Sequence, residues 1–224
     1  MRQLFADENP KLVLFDLDGT LVDSVPDLAH AIDRMLLELG KETAGIERVR
    51  SWVGNGASVL VQRALAGSLE AEISNPDEFE KAYALFLKFY GEHTADQSCL
   101  YEGVEECLVA LQNQQIKMGL VTNKPIQFTR TMLAGFELDD YFDVVIGGDS
   151  LPQKKPSPEP LLEAMASCSA TPSETLMVGD SKSDVGAARA AGCPVICVPY
   201  GYNHGEDIAR YAPDLIVQSL AELV

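Results

Sequence analysis

Four apolar residues, Leu12-Val13-Leu14-Phe15, run straight into Asp16-Leu17-Asp18-Gly19-Thr20. A short apolar run bounded by a polar turn reads as a strand buried on both faces, as in a parallel sheet. Open parallel sheets take their ligands at the carboxyl ends of strands, where Asp16 and Asp18 fall. Residues i and i+2 of an extended chain point the same way, so both carboxylates face one site if the extended conformation continues. Two anions that close persist only with a cation or a shared proton. Gly19 permits a tight turn or close backbone approach, and Thr20 adds a hydroxyl donor. The pattern points to metal-assisted chemistry on an anionic substrate. Its plainer alternative is a strand entering a polar turn, with the aspartates serving turn geometry.

Three more segments keep the first company. Thr122 follows the apolar run Met118-Gly119-Leu120-Val121, and Lys155 stands in Lys154-Lys155-Pro156-Ser157-Pro158. Gly179-Asp180-Ser181-Lys182-Ser183-Asp184 follows Leu176-Met177-Val178. Each alone is weak evidence. Together, in this order and with three of them at strand ends, they resemble the four motifs of the haloacid dehalogenase superfamily of phosphotransferases, over essentially the whole chain. Trp52-Val53-Gly54-Asn55-Gly56-Ala57 and Val121-Thr122-Asn123-Lys124-Pro125 are similar to its phosphoglycolate phosphatase branch.

That resemblance implies a division of labour. Asp16 is the expected nucleophile, forming an aspartyl-phosphate, and Asp18 the acid and base that serves the leaving group and then water. Lys155 neutralises the transferring phosphoryl group and holds Asp16, the family's lysine being the one before the proline. Lys154 is then left to a solvated loop. Thr122 and the Asn123 amide bind phosphoryl oxygens. Asp16, the main-chain carbonyl of Asp18 and the Asp180 carboxylate hold the metal, with Asp184 behind them on metal waters or Lys155. Asp184 read alone also suits a helix cap. Oxygen ligands and a phosphate substrate select Mg²⁺. The implied reaction is hydrolysis of 2-phosphoglycolate. A β-phosphoglucomutase-like isomerase, or a phosphatase of another small sugar phosphate, shares these motifs and stays open.

Composition narrows the partners. The chain has 224 residues, 46% of them hydrophobic, enough for a sizeable core. With 17 basic against 34 acidic residues the formal charge is −17, which disfavours nucleic acid and anionic membrane surfaces. The same charge repels a phosphorylated metabolite, so a phosphate site needs local compensation. No apolar stretch approaches the roughly 18 residues of a membrane span, and Met1 to Pro10 lacks a signal-peptide core. Cys99, Cys107, Cys168, Cys193 and Cys197 form no Cys-x-x-Cys pair and read as free thiols of a reducing cytoplasm. A zinc site is not expected. The expected assembly is a monomer or homodimer.

Hydrophobic spacing sets the organisation. From Tyr101 onward helical stripes alternate with apolar runs, at Met118–Val121, Asp143–Ile146, Leu176–Val178, Val195–Val198 and Leu215–Val217. Such alternation predicts an α/β fold: a three-layer, Rossmann-like core with a parallel sheet between helices. Residues 21–100 instead read as helical throughout, an inserted cap between core segments 1–20 and 101–224. Ser24 to Leu39 carries an apolar face at helical spacing, and Asn75-Pro76-Asp77-Glu78 is a strong helix start. Phe79, Tyr83, Phe86 and Tyr90 form a stripe on the helix that follows, expected to be core packing. Gly54-Asn55-Gly56 opens a helix whose exposed amides suit an anion. Arg48, Arg50 and Arg63 flank it as the nearest cations for a substrate carboxylate.

Overall fold

A computed structural model of the chain describes residues 1–70 and 75–224. Residues 71–74 of the expected insert lie outside the described residues. In chain order the elements begin with β1 (Leu12–Phe15) and a two-residue β2 (Val22–Asp23). Four helices follow, α1 (Val25–Glu38), α2 (Ile46–Trp52), α3 (Ala57–Ala66) and α4 (Pro76–Glu92), and then β3 (Cys99–Leu100). Helix and strand alternate thereafter: α5 (Val104–Asn113), β4 (Lys117–Val121), α6 (Ile126–Gly135), β5 (Val144–Ile146), α7 (Glu159–Ser167), β6 (Thr175–Gly179), α8 (Lys182–Ala191), β7 (Val195–Cys197) and β8 (Leu215–Ile216).

The main sheet has six strands in the order β5-β4-β1-β6-β7-β8, every pairing parallel. β1 lies at its centre because all four of its residues are apolar and fully buried. Its period-two alternation divides the core. Val13 and Phe15 pack toward α5 and α6 through Leu108, Leu111, Met132 and Leu133. Leu12 and Leu14 pack toward α7 and α8 through Leu161, Met165, Val185 and Ala188. Helices therefore cover both faces, and the architecture is three-layered α/β. Each large apolar side chain so buried contributes about 1.5–3 kcal/mol.

Strand order reverses at β1. The chain proceeds outward on one side through β4 and β5, then returns to β6 on the other. The crevice at such a reversal, beyond the carboxyl ends of β1, β4 and β6, is where this kind of sheet binds ligands.

Helices α1 to α4 share a separate apolar cluster built on Ile32, Met35, Trp52, Val61, Phe86 and Tyr90. Phe128 of α6 and Tyr202 join it, so the helical insert rests on the sheet layer through those two rings. The insert is not all helix. β2 and β3 pair antiparallel, Val22 with Leu100 and Asp23 with Cys99, where the chain leaves the sheet layer and returns to it. Two residues a strand are too few to show a period in sequence. Asp27 reinforces this crossing: its buried carboxylate accepts from Gln97 N at 3.0 Å and Ser98 N at 2.9 Å.

The helix signals hold locally. Asn75 caps α4 by accepting from Glu78 N at 3.3 Å, while the Glu78 carboxylate turns away to Lys41 at 2.9 Å. Three strands, β4, β5 and β6, start a residue away from expectation. Asp143 precedes β5 and meets Met118 twice, its amide donating to Met118 O at 2.8 Å and its carboxylate accepting from Met118 N at 3.0 Å in place of a backbone carbonyl.

Candidate active site

The loop after β1 is shaped around acidic side chains. Asp16 turns its Oδ1 toward the next amide, Leu17 N, at 2.7 Å. Gly19 has φ +88°, and a side chain there would stand 2.5 Å from Asp180 Oδ2, so only glycine lets this loop close on Asp180. Thr20, fully buried, donates to Asp180 Oδ1 at 2.8 Å, and Tyr202 N donates to Asp180 Oδ2 at 2.5 Å.

Asp16, Asp180 and Asp184 each present one carboxylate oxygen within 4.8 Å of the others. Lys155 enters this group from one side, its Nζ 2.9 Å from Asp16 Oδ1 and 2.7 Å from Asp184 Oδ1. Burial opposes the Lys155 charge, but Asp16 and Asp184 outweigh it and hold the ammonium above its ordinary pKa. Asp184 is both a helix residue and a strut. Its Oδ2 accepts from Ser181 N and Oγ and from Asp180 N, closing a capping box on α8, while Oδ1 takes Lys155.

The cluster holds more negative charge than one lysine balances. Burial, then repulsion from Asp184, pushes the Asp16 carboxyl up to about 6 against the pull of Lys155. Burial, with Asp184 and Asp16 beside it, likewise raises Asp180 well above the usual carboxylate range. Converging, desolvated oxygen donors with surplus negative charge are the donor set of a hard divalent cation. The residues fit Mg²⁺.

Asp18 faces elsewhere. Its carboxylate accepts from Ser24 Oγ at 2.6 Å and from Lys124 Nζ at 2.9 and 3.2 Å. The two aspartates thus line one cleft, yet each has its own lysine. Lys124 is buried, and its residue type at the second position after Thr122 was the available signal for it.

The cleft is about 470 Å³, part of it open to solvent, with Asp16, Asp18 and Thr122 on the sheet side. Thr122 Oγ1 accepts from Lys124 N at 3.2 Å. The Asn123 side chain ties loops together instead, donating to Gly54 O at 3.2 Å and Lys155 O at 3.0 Å. Lys154 is not in a solvated loop. It is half-buried and donates to Asn55 O at 2.8 Å, joining the helical insert to the sheet layer. The aromatic stripe divides: Phe79 stacks on Tyr83 away from the cleft, whereas Phe86 and Tyr90 form part of its wall.

Among the described residues none of the three arginines lines the cleft. Arg50 pairs with Asp23 at 3.3 Å beside Tyr202, whose hydroxyl donates to the same carboxylate. Arg63 donates to Trp52 O at 2.5 Å and Leu69 O at 3.1 Å, and Arg48 to Gly67 O at 3.0 Å. Backbone carbonyls and the Asp23 carboxylate take up these cations. Gly54 and Gly56 do reach the cleft, as the turn before α3.

Known proteins share both sequence and fold. A family model described as haloacid dehalogenase-like hydrolase matches residues 13–198. A phosphoglycolate phosphatase of Pseudomonas putida is 50% identical over 222 residues, covering 99% of this chain and 81% of that protein. One from Nitrosococcus oceani is 47% identical over 216 residues, 96% of each chain. A crystal structure of a predicted phosphoglycolate phosphatase from Haemophilus somnus superposes with a TM-score of 0.88 at 40% identity, covering 95% of this chain and 96% of that one.

Proposed function

Because this chain belongs to the haloacid dehalogenase-like hydrolase family, we propose that it is a phosphomonoesterase that hydrolyses 2-phosphoglycolate to glycolate and phosphate, through a phosphoryl group carried on Asp16. The observation that carries this reading is the separate pairing of the two aspartates. Asp16 sits with Lys155 in the acidic cluster, whereas Asp18 sits with Lys124 and Ser24, free to serve the leaving oxygen. One carboxylate suits attack on phosphorus and the other proton transfer.

An Asp16 oxygen attacks phosphorus as the bond from phosphorus to the leaving oxygen breaks, and Asp18 delivers a proton to that oxygen. Asp18 then takes a proton from water, whose oxygen attacks the same phosphorus. The bond to Asp16 breaks, releasing phosphate and returning Asp16 as the carboxylate and Asp18 as the protonated acid with which the cycle began. Lys155 holds Asp16 and offsets charge on the phosphoryl oxygens, with Thr122 and the Asn123 amide as further donors. The Asp16 and Asp180 carboxylates and the Asp18 main-chain carbonyl would hold Mg²⁺, which would supply the positive charge that an anionic nucleophile needs to meet an anionic ester. Asp184 keeps Lys155 and the loop of Asp180 in place.

Residues 1–20 and 101–224 serve in this reading as the catalytic core, and 21–100 as a cap over its cleft. The Asn55 and Gly54 contacts to Lys154 and Asn123 hold the cap down. Free thiols and the acidic surface suit a cytoplasmic enzyme acting as a monomer or homodimer on a small metabolite. Among the described residues no helix is long and apolar enough to cross a membrane.

The test ranks phosphate monoesters by kcat/KM, with and without a chelator. The expected result places 2-phosphoglycolate above hexose phosphates, with activity lost on chelation and restored by Mg²⁺. Preference for a hexose phosphate, or phosphoryl transfer between two hydroxyls of one sugar, would assign the site to the isomerase reading instead.

A further inference from the structure

Lys124 is the one cation lining the cleft among the described residues. It stands at the leaving-group side, against Asp18 rather than against the acidic cluster. Its Nζ lies 4.7 Å from the centroid of the Tyr90 ring.

Tyr90 is 1% exposed, and its hydroxyl, beside the Lys124 ammonium, makes no hydrogen bond of good geometry. Leaving a buried hydroxyl unpaired costs about 1–3 kcal/mol, so an unpaired hydroxyl in a cleft wall points to a missing ligand. The ring is locked by stacking on Phe86 at 5.5 Å and edge contact with Phe128 at 4.9 Å. Burial pushes the phenol up to about 12, which keeps it a donor at neutral pH. The buried amide oxygens left unpaired, Asn55 Oδ1 and Asn123 Oδ1, are acceptors and unsuited to an anion. Around Lys124 and Tyr90 the walls are apolar: Val53, Leu60, Phe86 and Phe128. Such walls offer nothing to the hydroxyls of a sugar on this side of the cleft, and they accept a short chain ending in one anionic group.

We propose that the Lys124 ammonium and the Tyr90 hydroxyl form the receptor for a carboxylate on the leaving group, and so select short carboxylate-bearing phosphate esters. The proposal rests on the phosphomonoesterase reading and replaces the arginines near α3 as the cationic candidates. Lys124 meets the carboxylate as a charge, and Tyr90 fixes its position through one hydrogen bond.

The test compares 2-phosphoglycolate with 2-hydroxyethyl phosphate, which keeps the chain length and lacks the carboxylate. The kcat/KM ratio of the two esters is measured for the parent, Tyr90→Phe and Lys124→Met, with melting temperatures to verify folding. Any disturbance of Asp18 slows both esters alike and leaves the ratio unmoved. Tyr90→Phe is expected to lower the ratio about 10-fold, as for one hydrogen bond to a charged group, and Lys124→Met about 100-fold. A parent that shows no preference for the carboxylate ester overturns the substrate reading and this inference together. A parent with the preference, whose two variants both retain it, overturns this inference alone.

Discussion

Asp16 and Asp18 are two positions apart in one loop, but their environments differ, and the proposed roles follow that difference. Asp16 is bound to Lys155 in the acidic cluster, and Asp18 to Lys124 across the cleft. Asp16→Asn should abolish turnover, because an amide is a poor nucleophile. Asp18→Asn should keep the first chemical step measurable in a single turnover while kcat falls on the order of 10²-fold or more. Parent-like kcat in Asp18→Asn would require another acid. Lys155→Met should lose on the order of 10³-fold in kcat. Lys154→Met should lose far less and act mainly on KM, since Lys154 holds Asn55 O rather than the cluster. Equal effects would mean that the lysine before the proline had been misassigned. Asp16, Thr122 and Asp180 were legible in sequence because each ends a buried apolar run. The meeting of Lys124 and Tyr90 was not, since it depends on how α4 lies over the loop between β4 and α6, which no local pattern encodes.

At the scale of elements, the turn before α3 carries the contact between insert and sheet layer. Gly56 has φ +89°, and an added Cβ would stand 2.9 Å from Asn123 O and 3.2 Å from Lys154 Nζ. Gly56→Ala should therefore combine backbone strain of order 1–3 kcal/mol with displacement of the turn. A lower melting temperature and a raised KM check it; parent-like values for both would show that the turn tolerates a side chain. The alternating strands and helices after Tyr101 were legible because helical stripes separate short continuous apolar runs there. β2 and β3, two residues each, were not. The stripe on α4 gave the helix correctly but not its two uses, because Phe86 and Tyr90 differ from Phe79 and Tyr83 only in what faces them. The arginines beside α3 misled for a related reason: their partners, Asp23 and three backbone carbonyls, come from other turns of the insert.

Across the whole molecule the net charge is −17, and three of the carboxylates behind it, Asp16, Asp180 and Asp184, converge at one point. In the metal-free protein the Asp16 carboxyl is raised from 3.8 to about 6, and Asp180 is raised as well. A carboxyl with a raised folded pKa contributes stability that is present below about 4 and lost as pH rises through about 6. Mg²⁺ should offset that loss, so its stabilising effect on the melting temperature should be larger at pH 7.5 than at pH 5, in roughly the window set by these shifts. An equal effect at both values would place the cation elsewhere. The central claim is that Asp16 carries the phosphoryl group. Asp18→Asn protein mixed with 2-phosphoglycolate and Mg²⁺, quenched in acid and digested, should yield a peptide containing Asp16 heavier by one phosphoryl group, absent from the Asp16→Asn control. Product formation with no phosphorylated peptide, or a phosphoryl group on any other residue, would contradict it.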